Sequence, residues 1–95
     1  MAYRISLTAT YNITDMEKTD YDYYVSVKDR HPEETVMIRE GRGYYYSFDD
    51  DARAIAEATG LTLRKQDGMT YVESFGDGFC FACAKAKLDM LIHYR

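Results

Sequence analysis

Apolar and polar residues alternate without a break from Tyr3 to Ile13: Tyr3, Ile5, Leu7, Ala9, Tyr11 and Ile13 against Arg4, Ser6, Thr8, Thr10 and Asn12. A period of two is that of a half-buried strand. A polar, turn-like stretch, TDMEKTD, follows, and the alternation resumes over 21–28. Tyr21, Tyr23, Val25 and Val27 fall on one side there, and Asp22, Tyr24, Ser26 and Lys28 on the other. The two runs predict an antiparallel hairpin. DRHPEE holds the only proline and reads as a loop. Thr35 to Arg39 predicts a third strand with Val36 and Ile38 inward; after the turn Gly41-Arg42-Gly43, Tyr44 to Phe48 predicts a fourth, with Tyr44, Tyr46 and Phe48 on one face.

The period then changes. Residues 52–59 predict a helix, with Ser47 or Asp49 as its cap and Asp50 and Asp51 in its first turn, where the dipole favours negative charge. Gly60 stops it, and alanines at 52, 54, 56 and 58 allow close approach to a sheet. Over 61–75 the dipeptide Asp67-Gly68 marks a hairpin that pairs Leu63 with Val72 and Lys65 with Thr70. The last stretch, 75–95, predicts a second helix capped by Asp77. Phe79, Ala82, Cys83, Ala86 and Met90 share one face, and Phe81, Leu88 and Ile92 form a second apolar stripe. A sheet covers one side only, so the second stripe calls for another element, a second copy or a partner; Phe81, Leu88 and Ile92 are the candidate dimer seam. The order β-β-β-(β)-α-β-β-α predicts a single α+β domain over 1–95. It would be an antiparallel sheet of four to five strands with two helices on one face.

Composition adds charge and aromatic content. Sixteen acidic side chains stand against twelve basic ones, for a net charge of −4, and there are ten tyrosines and no tryptophan. Phosphates and anionic membranes repel such a surface, so neither direct nucleic-acid binding nor membrane binding is expected; a basic protein surface suits it. MAYRISLTATY contains no apolar signal segment, no run approaches the ~18 apolar residues of a membrane span, and two cysteines make no disulfide framework. A reducing cytoplasm is the expected compartment.

Three groups of residues have candidate chemistry. Cys80 and Cys83 form a CxxC, which at a helix N-terminus would support a redox or metal-binding site. Their phenylalanine-flanked setting favours small core residues instead. Asp49, Asp50 and Asp51 lack the spaced oxygen ligands of a calcium loop, so helix capping or an acidic contact surface accounts for them, with no metal. The least ordinary feature is a pair of tyrosine–acid clusters, TDYDYY over 19–24 and YYYSFDDD over 44–51. Most of these tyrosines suit a sheet face, but Tyr24 and Tyr45 fall on the outward register. Exposed tyrosines beside carboxylates make a surface that receives arginine and lysine. The candidate partner-binding set is therefore Asp20, Asp22, Tyr24, Tyr45, Asp49, Asp50 and Asp51. No motif of a nucleophile, a phosphate loop or a zinc protease is present, so an enzyme is not expected and no cofactor is implied.

In its small size, acidic charge, lack of targeting or catalytic motif and acid–tyrosine clusters, the chain resembles the anti-CRISPR inhibitors encoded by phages. That group has no common motif, so no residue role transfers. The resemblance implies a non-enzymatic inhibitor acting in the host cytoplasm on a basic, nucleic-acid-handling surface such as a CRISPR effector, by blocking or mimicking DNA. A redox or metal protein centred on Cys80 and Cys83, and a self-assembling accessory protein that dimerises through its last helix, are the rival readings.

Overall fold

The computed structural model describes residues 16–41, 43–75, 88 and 90–95. The described chain is α+β. Its elements are α1 (Lys18–Arg30), β1 (Thr35–Glu40), β2 (Tyr44–Phe48), α2 (Asp49–Thr59), β3 (Arg64–Gln66), β4 (Met69–Ser74) and β5 (Met90–Tyr94). They form one five-stranded sheet in the order β3-β4-β2-β1-β5. All neighbours are antiparallel except β1 and β5, which run parallel from Thr35↔Met90 to Arg39↔Tyr94.

Three expectations hold closely. β1 and β2 occupy the predicted segments, and Val36, Ile38, Tyr46 and Phe48 share one core cluster. α2 ends at Gly60, which adopts φ 83 and donates its N–H to the Ala56 carbonyl at 2.8 Å. The β3–β4 turn places Asp67 at φ 51 and Gly68 at φ 80, the two positive φ values of a tight hairpin turn. Lys65 pairs with Thr70 as expected; Leu63 lies ahead of the ladder and is 37 % exposed.

Residues 21–28 are helical, not a strand. The tyrosine–valine run fits both periods, because Tyr21, Tyr24 and Val27 also recur every third residue along one helix face. Tyr24 and Val27 are the buried positions of α1. The ends decide the matter: Asp20 lies in the first turn, Lys28 and Arg30 lie in the last, and Pro32 follows. These signals and a core contact outweigh the strand propensity of tyrosine and valine.

Residues 90–94 are likewise a strand rather than the end of a helix. Met90 to Ile92 are continuously apolar because this part of β5 is covered on both faces: Leu91 packs with the α1-side core, and Met90 and Ile92 with the α2-side core. Short apolar runs of this kind do not distinguish buried strand from buried helix. The predicted strand at 3–13, the CxxC and Phe81 lie outside the described residues.

The two described helices take opposite faces of the sheet; of the pair expected on one face, 52–59 falls in α2, and most of 75–95 lies outside the described residues. α1 covers Val36, Ile38, Tyr46, Phe48 and Tyr71, whereas Ala52 and Ile55 of α2 cover Met37, Tyr45 and Val72. Val36, Met37 and Ile38 are all fully buried, which requires cover on both sides of β1. Leu88 and Ile92 of the proposed dimer seam pack against the α2-side core of their own chain.

Candidate binding surface

α1 and the start of α2 meet at the end of the sheet where β1 begins and β2 ends. Helix α2 follows β2 directly, with Phe48 as its N-cap and no side-chain cap. Neither expected cap acts as one. Ser47 is buried and its hydroxyl donates to the Val36 carbonyl. Asp49 sits at φ 56, a left-handed conformation that aspartate tolerates better than most residues, and its Oδ2 accepts the Tyr21 hydroxyl at 2.9 Å.

Asp51 is the anchor of this junction. It is 7 % exposed. Its carboxylate accepts the Tyr24 hydroxyl at 2.7 Å, the Val36 N–H at 3.0 Å and Lys28 Nζ at 3.2 Å. Lys28 also donates to the Glu34 carbonyl. The recorded β1–β2 pairing ends at Ile38↔Tyr46, so the Asp51 and Ser47 side chains satisfy the backbone groups of Val36 beyond the last rung. A carboxylate can stay buried only with such compensation.

Around the anchor lies a concave, acid-rich surface. One depression of about 440 Å³ is lined by Tyr24, Val25, Lys28, Asp29, Pro32 and Asp49 to Asp51. On the other side of Asp49 is a cavity of about 590 Å³ with walls from Met16, Tyr21 and Met69 and carboxylates from Glu17, Asp49 and Asp67. The Asp50 side chain is 97 % exposed and accepts Arg53 Nη1 at 2.7 Å. Asp29, Asp49 and Asp67 form no ion pair among the described residues.

Of the seven predicted contact residues, Asp49, Asp50, Asp51 and Tyr24 come together here. Tyr24 is 4 % exposed and, with Asp51, is structural rather than open to a partner. Tyr45 is also 4 % exposed, buried on the α2 face, with the Arg39 guanidinium 5.5 Å from its ring. The helical period of α1 moves Tyr24 inward, and the second covered sheet face buries Tyr45. Asp22 remains open, its side chain 60 % exposed and 3.0 Å from Lys18 Nζ. Asp20 serves a different site: it binds Arg95 Nη1 at 2.9 Å. Tyr21, Lys28 and Asp29 were missed. Reading 21, 24, 28 as helical spacing would have found the first two.

The opposite end of the sheet is tied by Arg95. Its Nη1 donates to Asp20 Oδ1 at 2.9 Å, to the Tyr46 hydroxyl oxygen at 2.9 Å and to Glu40 Oε1 at 3.4 Å. The guanidinium lies 4.5 Å from the Tyr23 ring centroid, and Tyr23 Oη lies 2.9 Å from His93 Nε2.

Several of these hydroxyls titrate far from their ordinary range. Burial, then the bond to Asp51, pushes Tyr24 well above it. Burial and the Glu73 charge do the same to Tyr44, and burial raises Tyr46 against the opposing pull of Arg95. The bond to Asp49 raises Tyr21. Tyr21, Tyr24 and Tyr44 donate to carboxylates, whereas the Tyr46 hydroxyl oxygen accepts from Arg95.

Among the described residues, no group of three or more His, Cys, Asp or Glu side chains could hold a metal, and no helix is long and apolar enough to cross a membrane. No family model matches the chain, and no solved structure matches it. A stretch of 44 residues, 46 % of the chain, is 39 % identical to part of the DNA mismatch repair protein MutS of Salinibacter ruber. The match covers 5 % of that protein's length.

Proposed function

We propose that this chain is a non-enzymatic binding protein whose acidic α1–α2 junction engages an arginine- and lysine-rich surface of a nucleic-acid-handling protein and inhibits it. The observation that carries this is the surplus of carboxylates at a concave surface. Asp29, Asp49 and Asp50 line it, while the one lysine among its described lining residues, Lys28, is committed inward to Asp51 and the Glu34 carbonyl. A net charge of −4 extends the same field over the molecule and steers basic partners toward it. The partial likeness to a DNA mismatch repair protein supports a nucleic-acid context, though 44 residues bring no activity with them. Within this reading the partner's nucleic-acid channel, such as that of a CRISPR effector, is what the carboxylates block, and the cytoplasm is the compartment.

The test is affinity capture of a partner from bacterial lysate with the wild-type chain and with a variant carrying Asp22→Lys, Asp29→Lys and Asp50→Lys. All three positions are exposed, so the fold should survive. One stoichiometric partner that is lost on a high-salt wash and lost with the variant is expected, because charge steering is screened by salt. Capture unchanged by both salt and charge reversal would overturn the proposal.

A further inference from the structure

The cavity on the far side of Asp49 has a lining unlike the open acidic surface. Met16, 3 % exposed, belongs to the α1-side core, and Tyr21 and Met69 pack against that core. Two thioethers and a phenol ring thus form apolar walls, and Glu17, Asp49 and Asp67 supply carboxylates. The one cation of the lining among the described residues, Lys18, lies 3.0 Å from Asp22. Tyr21 occupies Oδ2 of Asp49, while Oδ1 receives no hydrogen bond among the described residues. At about 590 Å³ the space is within the range of small-molecule and side-chain pockets, roughly 300–1,000 Å³.

From this juxtaposition we infer that the cavity between α1, Asp49 and the β3–β4 turn receives a single arginine side chain of a basic polypeptide, its guanidinium on Asp49 and its stem against Met16, Tyr21 and Met69. The inference rests on the acidic junction being a contact surface for basic chains, and names its anchor. Guanidinium is planar and weakly hydrated, lies well against aromatic and apolar walls, and forks onto carboxylates; the lysine ammonium is a compact, strongly hydrated charge that loses more on entering an apolar-walled space. The chain holds its own arginine in this way: Arg95 lies over the Tyr23 ring at 4.5 Å while bonding to Asp20.

The experiment is an amide NMR titration of the whole chain with oligo-arginine and oligo-lysine peptides of equal length. Two variants accompany it. Asp49→Asn removes the charge but keeps a residue that tolerates the left-handed backbone, and Met69→Trp fills the cavity without touching a charge. The wild type should bind the arginine peptide about tenfold more tightly, the gain of a good charge-assisted fork, with the largest shifts at Tyr21, Gly68 and Met69. Both variants should lose the preference, and Met69→Trp should leave lysine-peptide affinity unchanged. If Asp49→Asn fails to fold, Met69→Trp decides alone. Equal binding of both peptides, shifts away from the cavity, or a preference that survives Met69→Trp overturns the arginine pocket and leaves the acidic surface standing. Failure of both peptides to bind overturns the pocket and the acidic-surface reading together.

Discussion

The two ends of the sheet use the same residue types to opposite effect. At the α1–α2 junction, tyrosine hydroxyls donate to carboxylates: Tyr21 to Asp49 and Tyr24 to Asp51. At the other end, the Tyr46 hydroxyl oxygen accepts from Arg95 and the Tyr23 ring lies beneath its guanidinium. Arg95 there is matched by Asp20 and Glu40, so the charges are consumed in a tie that holds β5 to α1 and β1. At the junction, Lys28 is held by Asp51 and the Glu34 carbonyl, and Asp29 and Asp49 have no cation paired with them among the described residues. A tyrosine–acid cluster in a sequence therefore does not by itself mark a surface. The local balance of cations decides whether it becomes a tie or keeps an open negative field.

The sharpest way to break the contrast is at the anchor. Asp51→Ala strands Lys28, the Val36 N–H and the Tyr24 hydroxyl in a buried setting, and should cost about 3–5 kcal/mol, as removal of one member of a buried pair does. Urea unfolding measures it. A loss below ~1 kcal/mol would mean that Asp51 is solvated like its neighbours and that the junction has no buried anchor.

Arg95→Ala should follow with a smaller loss, about 1.5–3 kcal/mol. Its bonds are charge-assisted, but its side chain keeps 32 % of its exposure. Because the tie acts on stability and not on recognition, partner capture should be unchanged under conditions where the variant is folded. Loss of capture by the folded variant would assign this end a binding role and erase the distinction.

A third effect spans both ends. Tyr24, Tyr44 and Tyr46 all have folded values raised above the ordinary 10.0, in each case first by burial. Their contribution to stability is full below pH 10.0. Above it, the unfolded chain sheds protons that the folded chain keeps, so stability falls as pH rises. Tyrosinate absorbance should show these hydroxyls ionising only with unfolding. A native titration in which Tyr24, Tyr44 and Tyr46 ionise near pH 10.0 in the folded chain would show these hydroxyls to be solvated.

Much of the middle of the chain was legible in the sequence. The β1 and β2 alternation, the helix that ends at Gly60 and the Asp67-Gly68 turn all rest on local chemistry, and local chemistry settled them. Tyr21 to Lys28 was misread because β-favouring side chains at alternate positions also fall at helical spacing. The deciding signals, Asp20 and Lys28 at the two ends of α1, lay at the margins of the run. Met90 to Tyr94 was misread because the part of the strand covered on both faces, Met90 to Ile92, has no polar phase. The acidic site was half legible: Asp49 to Asp51 are adjacent in sequence, but their partners Tyr21, Tyr24 and Lys28 come from an element 23 to 28 residues earlier, and only the fold brings them together.

The smallest effect is also the finest test of what holds a carboxylate charged. Glu73 is half-buried and takes one tyrosine donor, Tyr44 at 2.9 Å, where Asp51 takes three donors. Burial raises Glu73 above the ordinary 4.5, and the Tyr44 hydroxyl and the Arg64 charge only partly oppose it. The sign follows from proton counting. Below pH 4.5 both folded and unfolded chains hold the proton, and Glu73 brings no penalty. As pH rises from there through the folded value, the unfolded chain releases its proton first and folding becomes less favourable; above the folded value the penalty is complete. Glu73→Gln keeps an acceptor for Tyr44 and removes the charge. It should therefore be at least as stable as the wild type at neutral pH, with an advantage that shrinks on acidification and is gone below pH 4.5. An advantage that grows on acidification would mean that one tyrosine donor suffices to hold a half-buried carboxylate charged. The three donors of Asp51 would then be more than that junction requires.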